Sequence, residues 1–155
     1  MRALPHTRSC FVCGECNPIG MKLRFVTDGR FVLTRFVPSP EHIGLKQTVH
    51  GGIVSTLLDE MMAWACAVQT KRFAFCAELT VRFLKPLRPG VEVVARGEVV
   101  ANRRDKLFEA KAEVQDSNGA ILATATGKYL PVKKAEAAEM VTDLVGDPAF
   151  WFGMD

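Results

Sequence analysis

The chain has 155 residues, 48% of them hydrophobic and 24% charged, with a formal net charge of +3. That length suits one domain able to bury about two thirds of its unfolded surface, and the balance of side chains is that of a globular protein. So slight a charge, with no Lys/Arg-rich tract, argues against a nucleic-acid binder yet allows local attraction of an anionic ligand. No apolar run is expected to reach the length of a membrane span. The first residues, Met1-Arg-Ala-Leu-Pro-His-Thr-Arg8, carry no apolar signal core, so a cytoplasmic location is expected. Five cysteines, an odd number, fit free thiols better than a disulfide framework.

Residues 1–20 read as a loop rich in turn formers, with Cys10, Cys13 and Cys16 at Cys-x2-Cys-x2-Cys spacing and His6 nearby. Four such groups suit zinc in principle. Three thiolates packed this tightly are an awkward start for a tetrahedron, so no metal is expected and the thiols are read as small packing groups. Residues 21–26 alternate Met21, Leu23 and Phe25 with Lys22 and Arg24, the pattern of a half-buried strand. The tetrapeptide 27–30 holds Asp28-Gly29, which favours a hairpin turn leading into a second strand at 31–37. A loop over 38–49 then feeds the stretch that dominates the chain.

Residues 50–69, His-Gly-Gly-Ile-Val-Ser-Thr-Leu-Leu-Asp-Glu-Met-Met-Ala-Trp-Ala-Cys-Ala-Val-Gln, have the length and side chains of one helix about 27 Å long. Apolar cover this wide indicates a helix surrounded by protein. Its polar face is narrow: Ser55, Thr56, Asp59 and Glu60. Gly51 and Gly52 stand at its start, where free backbone N–H groups and the positive end of the dipole favour developing negative charge. A carboxylate on a buried helix with Gly-Gly at its mouth suggests a site, though the spacing alone also permits Asp59 and Glu60 simply to meet water.

Four more strands follow. Residues 75–84 place Ala77, Leu79, Val81 and Phe83 on one face and Glu78, Thr80 and Arg82 on the other. Residues 91–101 turn Val91, Val93, Ala95, Gly97 and Val99 inward, and 102–106 form a basic turn. Residues 107–115 turn Phe108, Ala110, Ala112 and Val114 inward, and 121–130 do the same with Ile121, Ala123, Ala125, Gly127 and Tyr129. Inner faces this small let a bulky helix settle close to the sheet. Two strands, a long helix and four strands make an α+β fold: an antiparallel sheet of about six strands around one central helix. The tail, 133–155, is expected to hold a short amphipathic helix near 135–145 and an anchor at Phe150-Trp-Phe152.

His50-Gly51-Gly52 followed by Leu57-Leu58-Asp59-Glu60, and then 77–86, Ala-Glu-Leu-Thr-Val-Arg-Phe-Leu-Lys-Pro, resemble the hotdog-fold acyl-CoA thioesterases of the PaaI-like type. The N-terminal Cys10-Phe-Val-Cys13-Gly14 with Asn17-Pro18 and Gly20 is similar to one branch of that family. The resemblance covers about residues 10 to 130. It implies that Asp59 acts as nucleophile or general base on a thioester, and that the Gly51 N–H polarises the carbonyl. His50 and Gly52 belong to the same signature. An Asn common six residues before the His is Gly44 here, and a Ser or Thr that helps hold water falls on Cys76.

Thioester hydrolysis needs a donor where the oxyanion develops and a carboxylate to activate water or attack directly. Gly51 and Asp59 are eight residues apart, about 12 Å along one helix. One helix cannot bring both to the same carbon, but two antiparallel copies can, so a homodimer is expected, with pairing of dimers left open. The substrate-side candidates are Thr56 and Glu60 on the helix, with Arg103, Arg104 and Lys106 for the coenzyme's phosphates. A solvated hairpin tip is the simpler single explanation of those three cations. No cofactor beyond the coenzyme A of the substrate is expected. A hotdog protein that binds acyl-CoA without hydrolysing it, and a dehydratase using His50 with Asp59 or Glu60, are the other two classes the residues admit.

Overall fold

The structure, a computed structural model, is described over residues 1–146. Phe150-Trp-Phe152 lie outside the described residues. Two short strands open the chain, β1 (Arg2–Ala3) and β2 (His6–Thr7), followed by β3 (Val26–Thr27) and β4 (Val32–Phe36). A 3-10 turn at Pro40–His42 precedes helix α1 (Gly51–Thr70). Strands β5 (Ala74–Phe83), β6 (Val93–Arg103), β7 (Leu107–Gln115) and β8 (Ile121–Pro131) come next, then α2 (Lys134–Thr142) and β9 (Leu144–Val145). Seven strands form one antiparallel sheet in the order β1-β3-β4-β6-β7-β8-β5, and β2 pairs with β9 in a separate two-stranded sheet. The architecture is the α+β hotdog fold, with one long helix packed on a large antiparallel sheet.

The register follows the alternation in the sequence. Ala95, Phe108, Ala110, Val114, Ala123 and Tyr129 are buried, and so are Leu57, Leu58, Met61, Met62 and Ala65 of α1, which lies against them. Small residues make the close approach possible. A Cβ at Gly97 of β6 would stand 2.6 Å from the Met61 carbonyl oxygen, so only glycine lets the sheet touch the helix backbone there.

Several expectations are corrected. The sheet has seven strands where about six were expected, and residues 1–20 are not all loop: β1 joins the sheet through β3, while β2 pairs with β9 in the separate sheet. Only Val26 of the expected 21–26 strand is in a ladder; Met21 and Leu23 donate instead to Phe11 and Val12 carbonyls of the N-terminal loop. On β5 the register shifts between Cys76 and Glu78, and Ala77 and Phe83 are exposed rather than inward. Val91 is exposed, ahead of the start of β6. By length and composition α1 does reach the scale of a membrane span, with a mean hydropathy of 1.2 over its best 18 residues. Its cover by the sheet accounts for that apolar character.

Candidate functional site

Helix α1 begins at a cap made by its own signature. His50 Nδ1 accepts from Gly52 N at 2.8 Å, and the His50 carbonyl accepts from Ile53 N at 2.9 Å and Val54 N at 3.3 Å. Because Nδ1 is the acceptor, the neutral ring carries its proton on Nε2. Gly44 fits the same cap, since a Cβ there would press on the His50 Cα and ring at 3.0 Å. One N–H of the first turn is left over: the Gly51 amide has no acceptor among the described residues. Gly51 lines two adjoining hollows. One, of about 320 Å³, runs along Val49, Val54, Phe83, Leu84, Lys85 and Leu87, and the other lies beside Gly44, Leu45 and His50.

Eight residues further on, Asp59 is half-buried and turned toward the sheet. The hydroxyl of Tyr129, a fully buried residue, donates to Asp59 Oδ1 at 2.7 Å and lies 3.2 Å from the Asp59 carbonyl oxygen. Burial and the Asp59 charge hold the Tyr129 hydroxyl well above the usual phenol range, so it stays a proton donor. Cys76 sits opposite Tyr129 in the β5–β8 ladder, and burial with the nearby Asp59 charge pushes its thiol up as well. The fold thus gathers Asp59, Tyr129 and Cys76 into one cluster. The sequence pointed to Asp59 and Cys76, but it gave Tyr129 only as an inward packing residue.

Glu60 belongs to different surroundings. Consecutive helix residues are turned about 100° apart, and Glu60 faces the N-terminal loop, where Trp64 Nε1 donates to its Oε1 at 2.9 Å. Burial and the negative charge of Cys10 push its carboxyl up to about 8. A carboxylate oxygen of Glu60 and the sulfurs of Cys10 and Cys13 lie within 4.8 Å of one another. The neighbouring Cys13 thiol holds Cys10 below the usual thiol range, while Cys10 and burial raise Cys13. Asp59 and Glu60 therefore do not share one polar face. Thr56 spends its hydroxyl on the Gly52 carbonyl at 2.8 Å, one turn back.

The basic hairpin forms as expected. Arg104 and Asp105 adopt φ of 57° and 56°, and Lys106 N donates to the Arg103 carbonyl at 3.1 Å, closing a two-residue turn. Arg103 is paired with Glu109 at 3.0 Å, while Arg104 and Lys106 are exposed at the tip. Arg72, just past α1, donates to the Asp105 carbonyl at 3.0 Å, so the tip lies at the end of α1 away from Gly51. Lys85, which shares the hollow with Gly51, is an exposed cation that the sequence did not single out. A hollow of about 350 Å³ on the outer face of the sheet, edged by Arg82, Arg96, Glu98, Lys111 and Glu113, lies away from this chemistry.

A long helix with a tyrosine-held carboxylate midway, its head amide without an acceptor among the described residues, packed on an antiparallel sheet, is the arrangement of a hotdog protein. The chain matches the thioesterase superfamily over residues 46–123, half of its length, and belongs to that family. No curated protein matches it. Among solved structures, a thioesterase superfamily protein superposes with a TM-score of 0.73 at 19% identity, over 79% of this chain and 63% of the other. The chain therefore spans less than two thirds of that relative. The E. coli PaaI protein of the phenylacetic acid degradation operon gives 0.66 at 21% identity, over 73% of this chain and 81% of its own. A Streptococcus mutans UA159 protein bound to acetyl-CoA gives 0.66 at 18% identity, over 72% of this chain and 90% of its own.

Proposed function

We propose that this chain hydrolyses an acyl-CoA thioester to the free acid and coenzyme A, at a site shared between two copies. The observation that carries the reading is the Gly51 amide, without an acceptor among the described residues and lining a hollow at the positive end of α1. There a thioester carbonyl finds a donor for the charge it develops, and one such donor is worth about 3 kcal/mol in the barrier. Family membership and the acetyl-CoA bound by the S. mutans neighbour support the substrate class.

Asp59 of the opposing helix supplies the second function. As general base it takes a proton from water, whose oxygen attacks the carbonyl carbon. The tetrahedral intermediate then expels the coenzyme thiolate, which takes that proton back. As nucleophile, Asp59 attacks directly to give an anhydride and free coenzyme A, and water then cleaves the anhydride. Oδ1 is engaged by Tyr129, so Oδ2 is the oxygen available for either role. Neither route uses a cofactor. The dimer is supported by β5, an edge strand of ten residues with no partner on its outer side among the described residues. Phe75, Phe83 and Leu84 on or beside it are 52%, 57% and 56% exposed, a surface that calls for cover. Two-fold pairing of β5 edges would lay the α1 helices antiparallel and turn Gly51 of one toward Asp59 of the other.

Cys76 favours a second reading, an acyl-CoA binder without turnover, because a thiol beside Asp59 holds a water less firmly than a hydroxyl would. A panel of aromatic, short and long acyl-CoAs with a thiol reagent separates the two. We expect release of coenzyme A from at least one member, falling about 100-fold or more in Asp59→Asn with binding little changed. Saturable binding without release, or near-normal turnover by Asp59→Asn, would reject the proposal.

A further inference from the structure

The expectation of no metal rests on three thiols crowded into one place, and the fold removes that crowding. Cys16 is exposed, its amide tied to the Arg8 carbonyl at 2.9 Å, and His6 Nε2 is paired with Glu15 at 2.9 Å. Cys10 and Cys13 remain, and Glu60 arrives from α1, some fifty residues along the chain, to face them. We propose that Cys10, Cys13 and Glu60 form a site for a thiophilic divalent cation of zinc's class, with two thiolates and one carboxylate as protein ligands and water as the fourth.

The turn carrying the thiols is shaped for such a cation. Val12 N donates to Cys10 Sγ at 3.2 Å and Gly14 N to the Cys10 carbonyl at 2.8 Å. A Cβ at Gly14 would fall 2.2 Å from that carbonyl oxygen, so the turn closes only with glycine after the second cysteine. A backbone N–H aimed at sulfur stabilises the thiolate a metal requires. The turn is also pinned from behind: Met21 N donates to Phe11 O at 2.8 Å, Leu23 N to Val12 O at 2.9 Å and Arg24 Nη1 to Cys13 O at 3.0 Å.

Zinc bonds of about 2.3 Å to sulfur and 2.0–2.2 Å to oxygen put tetrahedral ligand atoms about 3.5–3.8 Å apart. The observed cluster lies within 4.8 Å, so small side-chain rotations close it without moving the backbone. Trp64 Nε1 holds the carboxylate from behind, the outer support that oriented metal ligands use. No Lys or Arg forms an ion pair with the Glu60 carboxylate among the described residues, and the nearby Arg24 guanidinium is turned to the Cys13 carbonyl rather than to the sulfurs' shared face with Glu60. A cavity of about 210 Å³ reaches one side of the cluster, lined by Glu60 and by Thr7, whose hydroxyl lies 3.6 Å from Cys13 Sγ. Thiolate ligands favour zinc-like ions over magnesium or calcium. The cation would staple the N-terminal loop to α1 at the residue next to Asp59, outside the reacting centre.

The test uses reduced, chelator-treated full-length protein without a His tag, titrated with cobalt(II). One equivalent should give thiolate-to-cobalt charge-transfer absorption and the visible bands of a four-coordinate site, both removed by zinc. Zinc should also raise the melting temperature. Cys10→Ser/Cys13→Ser should abolish the charge-transfer band, and Glu60→Gln should keep that band but weaken affinity about tenfold or more. If folded wild-type protein gives no charge-transfer band, or a folded double serine variant keeps it, the proposal fails. The wild-type titration decides even if the variants do not fold.

Discussion

Tyr129 is the chain's only tyrosine, and it donates its hydroxyl to the carboxylate proposed to do the chemistry. A hydrogen bond to a charged group contributes about 1.5–3 kcal/mol. Tyr129→Phe keeps the ring and loses the donor, so kcat should fall about tenfold or more with KM little changed. Steady-state kinetics check this alongside circular dichroism, and an unchanged kcat would reduce Tyr129 to packing. Residue identity was only partly legible in the sequence. Asp59 stood out because a carboxylate on so apolar a helix needs a reason, and Cys76 because it replaces a hydroxyl. Tyr129 lay hidden at the end of the inward series Ala123, Ala125, Gly127, where alternation predicts burial but says nothing of what the hydroxyl meets. The same limit separated Asp59 from Glu60. Linear spacing put them on one polar strip, whereas the loop and the sheet each claim one of them.

At the scale of elements, helix and sheet meet at Gly97. Gly97→Ala places a methyl against the Met61 carbonyl, and overpacking of this kind costs about 1–3 kcal/mol. Urea unfolding should show a lower midpoint with the same slope, and an unchanged midpoint would mean that α1 shifts aside freely. The β6–β7 hairpin offers a test of coenzyme recognition. Arg103 already serves Glu109, so the informative change is Arg104→Glu with Lys106→Glu. We expect KM for an acyl-CoA to rise about three- to tenfold at low salt, with short pantetheine thioesters unaffected. Equal response of both substrates would make the tip a solvated turn only. The four long strands and α1 were legible because each carries its own period over nine or more residues. The two-residue strands β1, β2 and β9 were not, since their identity lies wholly in distant partners: Arg2 with Thr27 and His6 with Val145.

At the scale of the whole molecule, α1 runs unbroken from Gly51 to Thr70, so the separation of about 12 Å between Gly51 and Asp59 stands. Asp59→Ala and Gly51→Pro should each be nearly inactive. The second is a clean probe, because proline is favoured at the first position of a helix and a Cβ there meets only the Phe83 ring, at 3.4 Å. Unfolded and refolded together, the two variants should regain about a quarter of wild-type activity. Random pairing makes half the dimers mixed, and each mixed dimer holds one intact site. No recovery from folded, demonstrably mixed dimers would rule out the shared site. A reason to expect a second copy was legible in the sequence as simple length along a helix, but the surface proposed to meet that copy was not. The exposed flank of β5 became visible only once the sheet order placed that strand at an edge.

That order also has a consequence for synthesis. β5 follows α1 directly, yet its ladder partner is β8, and much of the buried face of α1 lies on β6, β7 and β8, all of which are made later. At about 5–20 residues per second, about 3–12 s separate the end of α1 from the end of β8. During that interval the ribosome carries a helix with the hydropathy of a membrane segment and a β5 strand with neither edge paired. The nascent chain is thus an attractive client for a holding chaperone, and a slow codon run between β5 and β8 would lengthen its exposure. Strand order, by this route, ties the yield of folded protein to the speed of translation.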